Sequence, residues 1–327
     1  MFNAKIIGSG KAHPSVLLTN ADLEEKFGQP LKPSLEAKLG IKQRYITSET
    51  ESSADMATEA GFKAIEDAKI GPDDIDLVMV TTDTPEYLSP ATSSVVQGRL
   101  KATNAGTFDV NASCSGFVAS MDIASRMIQS GGYKKILLIG VYNMTKFVDK
   151  ENISVFPIFA DGAGAVILSA TEEDRGFLAS KLIADGTQYD ILGIYAGGAK
   201  KPITKERIDN KEHLLTFLKP LPPDRNIKLW PPIIKDVLKQ ANLEIKDIDH
   251  VFLTQINKWV IEEVMNVLEL PMEKTTCIMG EYGYTGSACI PMALDVALKQ
   301  GKVKPGDNVV FVGSGVGFAV ACTAFKW

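Results

Sequence analysis

Hydrophobic and polar positions along the chain follow two periods, and the place where one gives way to the other organises everything around it. Phe108, Val110 and Ala112 alternate with polar neighbours, the signature of a short half-buried strand. From Phe117 the apolar residues Phe117, Met121, Ala124 and Ile128 recur on one helix face. The period changes at Ser113-Cys114-Ser115-Gly116, which predicts a tight strand-to-helix turn with Cys114 at or near a helix N-terminus. Upstream, residues 4–8 read as a first strand, Asn20 offers an N-cap, and a helix is predicted from Ser53 to near Ala68. Ile75-Asp-Leu-Val-Met-Val-Thr-Thr82 is the continuous apolar run of a buried parallel strand.

That run has a counterpart. Ile248-Asp-His-Val-Phe-Leu-Thr-Gln255 matches it position by position at an offset of 173 residues, and residues 68–74 lie opposite 241–247 at the same offset. Ile136–Gly140 lies opposite Val309–Gly313, again at 173, and Gly162–Leu168 opposite Gly315–Ala321 at 153. Cys114 and its helix lie opposite Tyr284 and a helix ending near Lys299, so the first half carries about twenty extra residues around 141–160. Matches in the same order argue for duplication. Strands alternating with helices predict an α/β fold with two mostly parallel sheets back to back, halves at 1–170 and 171–327. The stretch 190–230 is irregular. Leu221-Pro-Pro and Trp230-Pro-Pro are expected to break structure, and the basic run 200–208 reads as a solvated loop or as a docking edge for an acidic carrier.

Composition narrows the class. An apolar content of 45%, 23% charged residues and a net charge of −5 describe a globular protein and argue against a nucleic-acid binder. Cys114, Cys277, Cys289 and Cys322 form no CxxC pair and no cluster with the three histidines, so reduced thiols and no metal site are expected. No signal peptide or membrane span is evident, and the reduced thiols lead to the expectation of a cytoplasmic chain. Cys114 has two readings on local features. It is a nucleophile whose thiolate the helix start stabilises, or a buried and inert thiol.

The chain resembles the thiolase-fold condensing enzymes, specifically 3-oxoacyl-acyl-carrier-protein synthase III. The resemblance spans nearly the whole length. It rests on Asp109-Val-Asn-Ala-Ser-Cys-Ser-Gly-Phe117, Phe159-Ala-Asp-Gly-Ala-Gly-Ala165, Leu39-Gly-Ile-Lys-Gln-Arg44 and Gly313-Ser-Gly-Val-Gly-Phe318. It implies a duplicated fold of two back-to-back mixed sheets layered with helices (αβαβα). It also implies Cys114 as the acyl-accepting nucleophile, with an oxyanion held by the backbone N–H groups of Cys114 and Val316. Gly315 and Gly317 would let that loop come close. No tightly bound cofactor is implied, only an acyl-CoA or acyl-carrier-protein thioester as substrate, a carrier protein as partner, and a homodimer in which Leu88 reaches the partner's acyl pocket.

Departures from the family pattern fall on the second half-reaction. Thr254-Gln-Ile-Asn257 aligns with the family's His-Gln-Ala-Asn, so Thr254 stands where the His would be and Asn257 at the acyl pocket. Tyr282-Gly-Tyr-Thr285 aligns with His-Gly-Asn-Thr, so Tyr284 replaces the Asn. His250 lies about 13 Å from Thr254 along one strand and reads as a packed histidine. Ser34 and Lys38 take the places of the Trp and Arg that clamp coenzyme A, weakening stacking and phosphate contact. The first expectation is condensation of an acyl-Cys114 thioester with a malonyl-carrier acceptor. Acyl transfer to an oxygen or nitrogen nucleophile or to water is the alternative, and a catalytically silent partner subunit is the third reading.

Overall fold

The computed structural model describes residues 2–327. Its first sheet is built from β1 (Asn3–Ala12), β2 (Leu77–Thr81), β3 (Gly106–Val110), β4 (Lys135–Asn143) and β5 (Asp161–Thr171), in the order β1-β5-β4-β2-β3. All five residues of β2 are buried, as a continuous apolar run between two parallel neighbours requires. The second sheet holds β6 (Gly176–Ala184), β7 (His250–Leu253), β8 (Asn308–Gly315) and β9 (Ala319–Lys326), in the order β7-β8-β9-β6.

Pairing directions repeat between the sheets. Neighbours in β1-β5-β4 are antiparallel and neighbours in β4-β2-β3 parallel; neighbours in β6-β9-β8 are antiparallel and β8 and β7 parallel, so both sheets are mixed rather than mostly parallel. An isolated parallel bridge from Val251 to Thr275 stands where the second sheet would hold a counterpart of β3. Helices α1 (Ser53–Asp67) and α4 (Arg225–Gln240) cover the outer faces, while α3 (Gly116–Gln129) and α6 (Cys289–Lys299) lie between the sheets; α2 (Thr92–Leu100) packs beside α1 and α5 (Lys258–Val267) beside α4. The architecture is αβαβα. Helices α3 and α6 begin 173 residues apart, and so do the single turns that precede them, Ser113–Ser115 and Gly286–Ala288. The positional counterpart of Cys114 is therefore Ser287 rather than Tyr284.

Two local expectations are corrected. The helix near Asn20 is capped one residue earlier, by Thr19, whose hydroxyl accepts the Asp22 N–H at 3.1 Å while Asp22 accepts the Thr19 N–H at 2.7 Å. The Trp230-Pro-Pro sequence does not break structure but lies inside α4. Two prolines remove two intrahelical hydrogen bonds. Trp230, Ile233, Ile234, Val237 and Leu238 are all buried, and tertiary burial of that face offsets the loss. Among the described residues no helix is long and apolar enough to cross a membrane.

Candidate active site

β3 ends at Val110 and delivers the chain to the turn. Asn111 Oδ1 accepts the Ser113 N–H at 3.0 Å, Ser113 takes a left-handed φ of 49°, and Ala112 O accepts from the Ser115 N–H at 3.2 Å and its hydroxyl at 2.6 Å. A left-handed non-glycine residue is strained and persists only where its surroundings hold it. The result is a sharp elbow that presents Cys114 just before α3 begins, with the residue 8% exposed.

Cys114 lines a cavity of about 100 Å³. From the second half the cavity receives Thr254 and Ile256 after β7, Tyr284, and Ser314, Gly315 and Val316 at the end of β8; the first half adds Asp83, Tyr142, Met144 and Phe159. Leu192, Leu215, Leu221, Arg225 and Asn226 close it, so the irregular middle of the chain forms its roof. Leu215 N–H donates to Phe147 O at 2.7 Å, tying that roof to the segment 144–160 that the second half lacks.

The glycine loop meets the elbow at backbone distance. A Cβ on Gly315 would stand 2.8 Å from Ala112 O and 3.1 Å from Cys114 N, so only glycine fits. Gly317 is different. It borders a shallow dip beside Arg225 and Phe318 outside the cavity, a Cβ there would meet open space, and its requirement is its left-handed φ of 89°. The expectation that both glycines prevent crowding holds in form for Gly315 and is corrected for Gly317.

Thr254 is buried and already engaged: its hydroxyl oxygen accepts the Ser314 N–H at 2.9 Å, leaving its own proton to donate. Tyr284 is fixed by backbone pairing with Ile158 and Ala160 and stands 6.0 Å, centroid to centroid, from both Tyr142 and Phe159. The start of the Phe159-Ala-Asp motif thus pairs with Tyr284 through an isolated parallel bridge. Asp161 accepts from the Thr47 N–H at 2.8 Å and the Thr145 N–H at 3.0 Å, pinning two connections beneath the site.

Electrostatics reverse one expectation. Burial first and the Asp83 carboxylate second push the Cys114 thiol well above its ordinary range, while the Tyr284 hydroxyl pulls it down. Desolvation of the charged form outweighs the helix start. Burial and the Asp83 charge both favour the protonated thiol over the thiolate. Burial pushes the Asp83 carboxyl up to about 6, and its Oδ1 is sealed from solvent without a hydrogen-bond partner. Arg225 reaches the loop through its guanidinium, which donates to Gly315 O at 3.3 Å and lies 4.3 Å from the Phe318 ring centre.

Other sequence-derived candidates sit elsewhere. Asn257 is drawn off the acyl pocket because its Oδ1 caps α5, accepting the Val260 N–H at 3.3 Å. Lys38 is exposed at the end of a short helix, and its carbonyl accepts the Trp259 N–H at 2.9 Å. Leu88 is 85% exposed and lies outside this cavity. His250 is packed: burial pushes it down to about 4, and its Nε2 lies 3.0 Å from Thr276 Oγ1. In the basic run, Lys201 and Lys205 pair with Glu212 and Asp209, and Lys211 just beyond it pairs with Asp149, so much of that charge is used internally. All four cysteines are free. Asp83, Tyr142, Arg225 and Asn226 are the polar lining residues that sequence reasoning did not single out. Asp83 had a signal: it follows the carboxyl end of a parallel strand, where α/β sheets place ligands.

Comparisons with known proteins show the family and the fold. The family described as 3-oxoacyl-[acyl-carrier-protein] synthase III matches residues 108–186, and its C-terminal counterpart matches residues 238–327. Beta-ketoacyl-[acyl-carrier-protein] synthase III of Fusobacterium nucleatum is 34% identical over 322 residues, 98% of each chain. The Synechocystis protein of the same name is 35% identical over 328 residues, 99% of this chain and 98% of that one. The crystal structure of 3-oxoacyl-[acyl-carrier-protein] synthase III from Aquifex aeolicus superimposes with a TM-score of 0.88 at 31% identity, covering 99% of this chain and all of that one. With this fold, this elbow cysteine and these matches, the chain belongs to the 3-oxoacyl-[acyl-carrier-protein] synthase III family of thiolase-fold condensing enzymes.

Proposed function

We propose that the chain is an acyltransferase that takes an acyl group from an acyl-CoA or acyl-carrier-protein thioester onto Cys114 and passes it to a second substrate. The observation that carries this is the close approach of Gly315 to the Cys114 backbone, which brings the glycine loop against the elbow that presents the sulfur. In this reading the N–H groups of Cys114 and Val316 hold the developing oxyanion, and Tyr284 supports the sulfur.

Family affiliation supports a malonyl-carrier acceptor for the second step, in fatty-acid or polyketide-type synthesis. One observation favours the alternative, transfer to a hydroxyl, an amine or water. The positions that would stabilise the enolate left by CO2 hold Thr254 and Tyr284, and the charged group lining the cavity on the first-half side is the Asp83 carboxylate. Loss of a positioned acid or base removes a factor of about 10² to 10⁴. In a homodimer, exposed Tyr87 and Leu88 would lie against the partner, with Leu88 at its acyl pocket. The test is incubation with a panel of acyl-CoA thioesters followed by intact mass spectrometry, alongside CO2 release from labelled malonyl thioester. Absence of any acyl adduct refutes the transferase reading, and CO2 release in step with product restores the malonyl acceptor.

A further inference from the structure

We propose that Asp83 is the general base of the Cys114 cavity and that the acceptor it serves is a neutral hydroxyl or amine. The inference rests on the acyl-Cys114 reading and names the residue and substrate class that complete it. Asp83 stands two residues beyond the carboxyl end of β2 and lines the same cavity as Cys114. Its Oδ1 is enclosed and unpartnered, an arrangement that is costly unless a proton donor enters the cavity. Nearby carboxylates are occupied: Glu86 accepts the Ala54 N–H at 2.8 Å, and Asp109 accepts the Thr92 and Ser93 N–H groups at 2.7 and 2.8 Å. The titratable groups that share the cavity with Asp83 are Cys114, Tyr142, Tyr284 and Arg225. Burial, opposed by a hydrogen bond from its own backbone, holds the carboxyl near 6, well matched to base catalysis around neutral pH.

The steps balance without a redox partner. The Cys114 sulfur attacks the donor thioester carbonyl as its proton passes to Asp83; the proton moves with carbon–sulfur bond formation, not ahead of it, because the thiol is held above its ordinary range. Asp83 then gives that proton to the departing coenzyme A or carrier thiolate. In the second half the acceptor oxygen or nitrogen attacks the acyl carbonyl and yields its proton to Asp83. The bond from Cys114 to the acyl group breaks, and the proton returns to the Cys114 sulfur. The same carboxylate opposes a malonyl acceptor, since its charge faces both the malonyl carboxylate and the enolate formed on decarboxylation.

Two rates in the full-length Asp83→Asn variant separate a base from a bystander charge. Iodoacetamide alkylation of Cys114 needs only thiolate, and removing the neighbouring negative charge should raise it several-fold at fixed pH. Single-turnover acylation by acetyl-CoA, followed by intact mass, needs the base and should fall by about 10²-fold or more. The parent rate should rise with pH through about 6, and Asp83→Glu, which keeps the carboxylate, should recover part of it. Acylation that is unchanged or faster in Asp83→Asn overturns the proposal, as does a parent rate that does not change across pH 6, a readout available even if the variant fails to fold. Hydroxylamine, offered beside malonyl-carrier protein, should yield acyl hydroxamate, counted above a Cys114→Ala blank because hydroxylamine also cleaves thioesters unaided, faster than malonyl-carrier protein yields CO2; the reverse order overturns the acceptor class. A parent chain that gains no acyl mass refutes the acyl-Cys114 reading itself, whereas a parent that acylates while Asp83→Asn does so equally fast refutes this inference alone.

Discussion

Gly315→Ala puts a methyl group into the contact on which oxyanion binding depends. The new Cβ would lie 2.8 Å from Ala112 O and 3.1 Å from Cys114 N, both backbone atoms that no side-chain rotation can move aside. Ordinary contact needs roughly half an ångström more, and the end of β8 must yield by that amount. Overpacking of this kind costs about 1–3 kcal/mol of stability. A displacement of about half an ångström is also the tolerance of a preorganised site, so the Val316 N–H is carried off the position the oxyanion takes. Loss of one such donor lowers the rate by about 10² to 10³. Single-turnover acylation should therefore fall by about 10²-fold, while iodoacetamide alkylation of Cys114, which forms no oxyanion, should change only a few-fold. Gly317→Ala is the control. It forces an alanine to a φ of 89° in open space, at a stability cost of about 1 kcal/mol, and should leave acylation within a few-fold of the parent. Acylation by Gly315→Ala at the parent rate, or equal damage from both variants, would refute the geometric argument.

Asp83 binds its proton more tightly folded than unfolded, with a pKa raised from 3.8 to about 6. Its stabilising contribution is complete below about pH 4 and lost as pH rises through 6. In urea unfolding the stability of Asp83→Asn relative to the parent should increase by roughly 2 kcal/mol between pH 4 and pH 7.5, and a flat difference would contradict the burial. Thr254→Val strips the buried Ser314 N–H of its acceptor, so unfolding free energy should drop by about 1–3 kcal/mol; an unchanged denaturation midpoint would count against it. Tyr284→Phe removes the hydroxyl that lowers the Cys114 pKa, and the pH profile of alkylation should shift to higher pH. Leu88→Asp should weaken the proposed dimer in light scattering at micromolar concentration, and a parent that is already monomeric would remove that proposal.

The frame of the molecule could be read from the chain because its signals are local and repeated. A fully apolar run predicts a strand buried on both faces, and residues 77–81 are that strand. The change of period at Ser113–Gly116 becomes an elbow because α3 begins at Gly116. The offset of 173 survives as two sheets whose four shared strands run in the same order and directions, the second holding only an isolated bridge in place of β3. What local pattern does not carry is the environment assembled from distant segments. Cys114 stands at a helix start, yet its ionisation is decided by burial under Leu192, Leu215 and Leu221 and by Asp83, thirty-one positions upstream. Pro231 and Pro232 read as a break until the buried face of α4 is seen. Asn257 matched a motif position, but the start of α5 takes its side chain.

The account turns on a covalent acyl group at one sulfur. Quenching the chain within one turnover with acetyl-CoA and mapping its peptides by mass spectrometry tests that most directly. An acetyl mass confined to the peptide bearing Cys114, and lost in Cys114→Ala, is the predicted result. Unmodified Cys114, or an adduct on Cys277, Cys289 or Cys322 instead, would contradict it.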